Sequence, residues 1–491
     1  MTNHTILEAT PEDVGIPSEA ILKILRQLDD LRLPMHSLLI IRHGKLVSEN
    51  YWKPFHRDRK HRLYSVSKSW VALAVGIMQD EGRLSLDDQV AKYFPEYTLN
   101  DTHDYLKRAT IRDLLMMADC HDDSTHRFDM ADWAKSWFET NPTHPSGTIF
   151  QYNTTGTNIC CAIVEKLSGM SFIDYLYPRL LEPIGASEGI TCIQTPEGFS
   201  FGGSGVLATP RDLAKVALVC LNGGRWDGKQ LISEQFIREA TSWQIDNSAF
   251  ATGINDAQGY GYQIWRTRHN GFAFYGMGSQ YAICLPDQDL IVITTGDTQG
   301  YLHAGHIIHE LIWQELLPRL SKQELAENAI ANKELKDYSA SMELPLEVGS
   351  YTSPIAAEIS GVKYHFSDNP LNIDGVSFDV KPDRVVMTYL KPNGEHKLIF
   401  GMGKHEAQEF PETNYSGNRI GTPAGRGYQV LADATWVDDT TLVGKVMVID
   451  DYFGSFRMIA RFVDNELTIL MTKNAEDFLH DYQGFAAGKA E

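Results

Sequence analysis

Cysteine pairs and long apolar runs are the features that this sequence lacks. Its six cysteines are scattered without a Cys-x-x-Cys motif, and Cys160, Cys161 and Cys220 fall inside apolar helical patterns. We therefore expect buried free thiols rather than a disulfide framework. No apolar run approaches the roughly 20 residues that span a bilayer. The first residues have neither the basic nor the apolar region of a secretion signal. These absences predict a cytoplasmic protein with no membrane partner.

Basic charge is also scarce. Lys and Arg number 44 against 64 Asp and Glu, for a formal net charge of −20. Because nucleic acids and anionic membranes repel such an acidic chain, we expect neither as a partner. The sequence has no P-loop and no Gly-x-Gly-x-x-Gly dinucleotide motif, and we predict no cofactor.

The pattern that remains divides the 491 residues into two domains. Residues 1–325 have strand signals at 37–51 and again at 279–296, with helical periodicity between them. Strands at both ends predict an α+β domain whose antiparallel sheet is completed by its two terminal parts, with helices around it and a helical subdomain. Residues 326–344 are charged and Ala-rich, and they are predicted to be a helical linker.

Short strand patterns characterise residues 345–491. Turn signals such as Asp374-Gly375 and Asn393-Gly394 separate some of them. The spacing predicts an all-β antiparallel domain, barrel-like or a sandwich, whose role the sequence leaves open.

The stretch "LYSVSKSW" (63–70) places Ser65 three residues before Lys68 at the start of an amphipathic helix. Positions i and i+3 share a helix face, so the amine can reach the hydroxyl and act as its base. The helix dipole and burial would both favour a neutral lysine. The N–H of Ser65, unpaired at a helix start, could donate to an oxyanion. The alternative is an ordinary serine N-cap, because Ser-x-x-Lys also arises by chance.

The surrounding segment, "LYSVSKSWVALAVGIMQDEGRLSLDDQVAKYFPE", resembles the penicillin-recognising serine hydrolases, the class C β-lactamase-like family. There a Gly-Lys/Arg-Leu-x-Leu-Asp-Asp-x-Val turn follows the Ser-x-x-Lys helix, and here the matching residues are Gly82, Arg83, Leu84, Leu86, Asp87, Asp88 and Val90. "ATIRDLLMMA", "GGSGVLATPRDLAKVALVCLNGGRWDGKQLI" and "GYGYQIW" are similar to later family segments. The resemblance runs from about residue 8 to 320. It implies a β-lactamase/DD-peptidase-like fold with its active site between sheet and helical subdomain.

The second family element is a loop tyrosine, usually in Tyr-x-Asn. "PSGTIFQYNTTGTN" supplies Tyr152, for which the resemblance implies a place near Ser65 and Lys68 and a role in passing a proton to the leaving group. Thr154 stands where many relatives have Asn, as a candidate substrate-binding residue. This departure is closer to the amide and ester hydrolases of the family than to its β-lactamases.

The third element is a strand that usually bears Lys-Thr-Gly or His-x-Gly. In "FAFYGMGSQYAICLP" the triplet is Phe274, Tyr275 and Gly276, so the cation that grips substrate carboxylates is missing. Gly276 and Gly278 would let substrate approach the strand closely. The N–H of Met277 is the candidate second oxyanion donor beside that of Ser65, with Ser279 as the alternative. Gly276, Gly278 and Gln280 match the 6-aminohexanoate-dimer hydrolase branch.

These elements together predict a serine hydrolase that cleaves a small-molecule amide or ester. The alternatives are a β-lactamase, a DD-peptidase or a D-aminopeptidase, and, from another class, a non-catalytic binding or scaffold protein on the same fold. A homodimer is left open.

Two other clusters could hold a metal ion. His303, His306 and His309 recur every three residues, and "DCHDDSTH" (119–126) contains Cys120 and His121. A polar helix stripe and a solvated loop at the pocket rim are the favoured interpretations, so we predict no metal.

Overall fold

The computed structural model describes residues 5–98, 102–251, 253–412, 427–474, 479 and 481–491. The chain forms two compact units, Met1–Glu343 and Leu344–Glu491. Among the described residues, none of the helices has both the length and the apolar character to cross a membrane.

The first unit is built on a seven-stranded sheet with helices on both faces. Its strands are β1 (Leu7–Glu8), β2 (Met35–Arg42), β3 (Lys45–Tyr51), β4 (His61–Arg62), β5 (Thr191–Cys192), β6 (Val206–Ala208), β7 (Arg225–Trp226), β8 (Lys229–Gln230), β9 (Trp265–Thr267), β10 (Gly271–Gly276), β11 (Gln280–Leu285) and β12 (Leu290–Gly296). Its α-helices are α1 (Ser18–Asp30), α2 (Val66–Asp80), α3 (Asp104–Arg108), α4 (Ile111–Leu115), α5 (Trp133–Glu139), α6 (Thr154–Ser168), α7 (Phe172–Leu176), α8 (Pro210–Leu221), α9 (Glu234–Ala240), α10 (Ala304–Leu311) and α11 (Ala329–Ser341).

The main sheet joins the two ends of the unit, as the strand signals predict. Its order is β1-β3-β2-β12-β11-β10-β9, antiparallel except for the parallel pair β1–β3. The central pair β2–β12 aligns Ile41 with Ile291. Both strands are buried along their whole length because helices cover both faces of the sheet. The predicted α+β class, with an antiparallel sheet completed by the two terminal parts, is confirmed.

Helix α2 runs through the core of this unit. Every residue from Val66 to Met78 is buried, and the helix packs against α6 and against strand β10. Gly82 follows it with φ 69°, the left-handed conformation that ends helices without strain in glycine. The chemistry-bearing start of α2 is therefore held by a rigid, fully packed element.

Residues 326–344, predicted to be a helical linker, contain a helix that is part of the first unit. This helix, α11, packs on α1. Tyr338 donates a hydrogen bond to Asp29 (2.6 Å), and Arg26 pairs with Glu334 (2.6 Å). Only Ala331 and Leu335 of this helix are buried, so its narrow apolar stripe lies within an otherwise charged sequence.

The second unit is a closed β-barrel. It contains α12 (Ala356–Ile359) and the strands β13 (Lys363–Phe366), β14 (Gly375–Lys381), β15 (Arg384–Lys391), β16 (Gly394–Met402), β17 (Glu406–Glu409), β18 (Gln429–Asp438), β19 (Thr441–Ile449), β20 (Phe453–Val463), β21 (Glu466–Asn474) and β22 (Gly484–Ala490). Neighbouring strands pair antiparallel, and one parallel pairing, Gly401 with Asp433, joins β16 to β18 and closes the barrel. Of the two predicted forms, the barrel is therefore the one adopted.

All six cysteines are described and free of disulfide bonds. Five are buried and Cys192 is partly buried, as expected for apolar thiols inside helices and strands.

Candidate active site

Ser65 occupies the N-cap position of α2, but its side chain makes no capping hydrogen bond. Its Oγ instead lies 2.9 Å from Nζ of Lys68. Tyr64, immediately before it, has φ 49°, an uncommon backbone conformation for a bulky residue. The serine is therefore placed by a sharp turn into the helix, and its hydroxyl is directed at the lysine rather than at the backbone.

Lys68 is almost entirely buried, with 1% of its surface exposed. Its amine also donates to the carbonyl oxygen of Gly203 at 2.6 Å. The N–H of Gly203 in turn donates to Oδ1 of Asn158 on α6 (2.9 Å). A Cβ on Gly203 would lie 2.5 Å from the methyl group of Thr154, so glycine at this position allows the segment to pack closely against the start of α6.

Tyr152 precedes α6 and joins this pair. Its ring centroid lies 5.0 Å from Nζ of Lys68. Burial raises the pKa of Tyr152 to about 12, and a hydrogen bond with Ser65 opposes the rise. The structure thus brings together the three residues Ser65, Lys68 and Tyr152 that the sequence predicts as catalytic.

Thr154 is the first residue of α6 and lies at the same place. Its N–H donates to Oγ of Ser124 (2.9 Å), and its methyl group faces Gly203. The neighbouring Asn153 caps α6 by accepting from the N–H groups of Thr155 and Gly156, and it donates to Asp119 (2.8 Å). The Asn153 cap fixes where the helix starts, and with it the positions of Tyr152 and Thr154.

Gly276 ends strand β10 against the segment that leads into α2. A Cβ on Gly276 would overlap the carbonyl oxygen of Leu63 and lie 3.3 Å from a methyl group of Val66. The turn Met277–Ser279 then joins β10 to β11, with positive φ at Gly278 (74°) and Ser279 (70°). Glycine is thus required at Gly276 by a close approach, which carries the turn towards the start of α2.

The side chain of Gln280 organises this turn. Its amide donates to the carbonyl oxygens of Met277 and Gly278, both at 3.1 Å, and to that of Gly296 at 2.6 Å. Ser279 is buried, and its hydroxyl lies 2.6 Å from that of Thr298. With these carbonyls and the Ser279 hydroxyl engaged inside the protein, the conformation of the turn is well determined.

Phe274 stands where the resembled family carries its cation, and it is fully buried. It belongs to the core that includes α2. Side chains alternate along a strand, so Tyr275 projects to the opposite face of the sheet. The apolar residue predicted at this position therefore contributes packing and brings no charge to the cleft.

A cavity of about 570 Å³ adjoins the turn. Gly276, Met277, Gly278 and Ser279 line one side of it. Other lining residues are Asp256, Tyr281, Thr298, Gln299, Tyr301, Leu302, His303, Ala304, Gly305 and His306. Among the described residues that line it, Asp256 is the one carboxylate, and it pairs with His306 at 3.4 Å.

Two aromatic rings stack on the ring of Tyr152. Phe250 stacks on it at 5.6 Å between centroids, and Trp265 does so at 5.7 Å. Tyr275 lies 5.7 Å from Trp265. Sequence reasoning missed these neighbours and Gly203, because they lie far from Tyr152 along the chain. Only the family-like segments that contain Gly203 and Trp265 gave a signal.

The two candidate metal clusters serve other purposes. Within the described ranges, no group of three or more His, Cys, Asp or Glu residues is arranged to hold a metal ion. His121 lies 3.2 Å from the carbonyl of Thr140, and His126 lies 2.7 Å from Oγ1 of Thr155. Burial lowers the pKa of His126 to about 4. Both histidines of this loop are thus engaged in hydrogen bonds inside the protein.

The family model described as Beta-lactamase matches residues 22–314, which include every candidate residue named above. The chain belongs to the beta-lactamase family. A curated relative, the 6-aminohexanoate-dimer hydrolase of Paenarthrobacter ureafaciens, is 26% identical over 299 residues, which cover 54% of this chain and 75% of that relative.

Solved structures of two similar proteins have the same fold as this member of the beta-lactamase family. A Bacillus anthracis protein provisionally assigned as a 6-aminohexanoate-dimer hydrolase is 18% identical, with a TM-score of 0.52 over 63% of this chain and 86% of that chain. The protein SurE is 17% identical, with a TM-score of 0.51 over 96% of this chain and 99% of that chain. At these identities the likeness concerns the fold alone.

Proposed function

We propose that this chain is a serine hydrolase that cleaves a small-molecule amide or ester through an acyl-enzyme on Ser65. The observation that carries the proposal is the 2.9 Å approach of a buried lysine amine to the Ser65 hydroxyl, with the same amine anchored on the Gly203 carbonyl. An alcohol needs a base to become a nucleophile. The anchored amine is positioned to be that base.

The reaction proceeds in two steps. Neutral Lys68 takes the proton of Ser65 as Oγ attacks the substrate carbonyl, and the tetrahedral intermediate collapses when the leaving group receives a proton from Tyr152. A pKa of about 12 keeps the Tyr152 phenol protonated near neutral pH, so that it can donate. Water then attacks the acyl-enzyme and gives a proton to the Tyr152 phenolate, and Lys68 returns its proton to Oγ of Ser65 as the acid leaves.

The oxyanion is held by the backbone N–H groups of Ser65 and Met277. The first lies at the start of α2, where N–H groups have no partner within the helix. The second belongs to the turn that Gly276 brings against Leu63. Two such donors directed at the developing charge are a large part of catalysis in acyl transfer.

The substrate class follows from the missing charge. Phe274 offers no cation to a carboxylate beside the scissile bond, which disfavours penicillins and peptide carboxylates as substrates. Amides and esters without that carboxylate are the substrates we propose, and the similarity to a relative named 6-aminohexanoate-dimer hydrolase supports a hydrolase of this class.

Labelling with a fluorophosphonate probe tests the nucleophile. Ser65→Ala should abolish both labelling and turnover of p-nitrophenyl acetate. Ser69→Ala is the matched control, because it removes another hydroxyl from the same helix. That hydroxyl donates to the carbonyl of Gln263 (2.7 Å), and the variant should still be labelled. Retained turnover in purified Ser65→Ala protein would contradict the proposal.

Nitrocefin, assayed beside the ester, tests the β-lactamase alternative, which predicts that nitrocefin is hydrolysed faster than the ester.

A further inference from the structure

His309 of α10 connects to the strand that ends at Gly276. Its Nδ1 lies 2.6 Å from the carbonyl oxygen of Gly305, and its Nε2 lies 2.7 Å from the phenol oxygen of Tyr275. A carbonyl oxygen can only accept, so Nδ1 carries the proton and Nε2 is the acceptor. Burial lowers the pKa of His309 and raises that of Tyr275 well above its usual value. Tyr275 therefore donates to a neutral imidazole.

Trp265 lies between the ring of Tyr275 and the ring of Tyr152. The ring of Tyr275 lies 5.7 Å from Trp265 at an angle of 37° between ring planes, and Trp265 lies 5.7 Å from Tyr152 at 29°. Trp265 is 9% exposed and is also packed edge-on against Tyr260 at 5.1 Å. Because the three rings are neighbours, we expect a shift of Tyr275 to change the tilt of Tyr152.

We propose that Tyr275 and His309 are positioning residues that hold the phenol of Tyr152 in line with Ser65 by way of Trp265. The inference rests on the proposed role of Tyr152 as proton donor. It gives a role to His309, one of the three histidines that recur every three residues. It also assigns Tyr275 to proton transfer rather than to recognition of a charged substrate. If the pair served packing alone, its loss would slow every substrate alike.

A comparison of two leaving groups tests the proposal. Ethyl acetate and p-nitrophenyl acetate share an acyl group, but p-nitrophenolate is a weak base that departs without a proton, whereas ethoxide is a much stronger base than the Tyr152 phenolate and must be protonated as it leaves. Tyr275→Phe keeps the ring and removes the hydroxyl. It should lower kcat/KM for ethyl acetate about tenfold, a fraction of the full effect of a general acid, and lower that for p-nitrophenyl acetate less than about threefold.

Equal losses for both esters, or no loss, would overturn the inference. Tyr152→Phe, measured in parallel, should show the same leaving-group dependence more strongly. If it shows none, the proposed role of Tyr152 fails and the inference fails with it. If Tyr152→Phe shows the dependence and Tyr275→Phe does not, only the positioning role is refuted.

A double-mutant cycle examines the hydrogen bond itself. His309→Leu should reproduce the leaving-group dependence of Tyr275→Phe, and the double variant should be no slower than the slower single variant, because both changes remove one interaction. Additive losses would refute the pairing. Tyr338→Phe is the control, since it removes a phenol hydrogen bond to Asp29 in helix α11, and it should leave the ratio of the two rates unchanged. If His309→Leu does not fold, the decision rests on Tyr275→Phe.

Discussion

Substituting Gly276 by alanine tests whether the end of β10 must lie against the segment before Ser65. The added Cβ would fall well inside 3.0 Å of the Leu63 carbonyl oxygen, a separation that real Cβ atoms essentially never show, whereas ordinary contact begins at 3.4 Å. The atom in the way is backbone, so no side chain can rotate aside. The strand end must retreat by about 1 Å, and a displacement of that size can cost about 100-fold in rate.

The stability cost of this change is separate from its cost in rate. Overpacking of a well-filled region typically costs about 1–3 kcal/mol, which should lower Tm by a few degrees while leaving the fold intact. The control is Gly189→Ala, because the one atom near its added Cβ is Nζ of Lys60 at 3.8 Å.

The assay for Gly276→Ala is kcat/KM for p-nitrophenyl acetate, measured beside thermal unfolding of both alanine variants. We expect Gly276→Ala to lose most of its activity at temperatures where it remains folded, and Gly189→Ala to resemble the unmodified protein. If folded Gly276→Ala kept its rate to within about twofold, the close approach would not be needed for catalysis. The placement of the Met277 N–H as an oxyanion donor would then be wrong.

Three further outcomes are expected. Lys68→Met should lower kcat for p-nitrophenyl acetate by about 10²–10⁴-fold, the usual effect of a general base, and an unchanged rate would remove Lys68 from the mechanism. Because burial raises the pKa of Tyr152 to about 12, its phenol stays protonated on the alkaline side. The pH profile of ethyl acetate turnover should therefore have no descending limb from this group below about pH 10, and a limb that is lost in Tyr152→Phe would contradict this. In the barrel, Lys391 and Glu412 form a buried pair at 3.2 Å, so Glu412→Ala should destabilise that unit by about 3 kcal/mol in urea unfolding, and a change under about 1 kcal/mol would show that Asp481 compensates.

The local part of the site could be predicted from the sequence, because helix geometry alone brings residues i and i+3 together. Ser65 and Lys68 are such a pair. Tyr152 and Gly276 came from resemblance, since 87 or more positions separate them from Ser65 and no periodicity relates positions so far apart. The paired terminal strands followed from hydrophobic pattern, which reports burial directly.

The remainder depended on contacts that leave no local signal. The role of Gly203 is carried by its backbone carbonyl, and every residue type has one. The aromatic neighbours of Tyr152 could equally have been core residues, as Trp133 and Trp137 are. The charged, Ala-rich sequence of 326–344 predicts a linker, because only two side chains of helix α11 are buried, too few to produce a clear amphipathic pattern.

The altered triplet on β10 changes what the strand does as well as what it binds. Successive side chains on a strand face opposite ways, so a residue at position 274 acts on the α2 side and a residue at 275 on the α10 side. Phe274, in place of the family's cation, packs in the core against the helix that carries Ser65 and Lys68. Tyr275 adds a phenol that His309 holds from the other face. If both changes serve the same reaction, a cation restored at 274 alone would be an unpaired charge in the core. It would not recover a carboxylate site, because Tyr275 would still contact Trp265 and hydrogen-bond to His309.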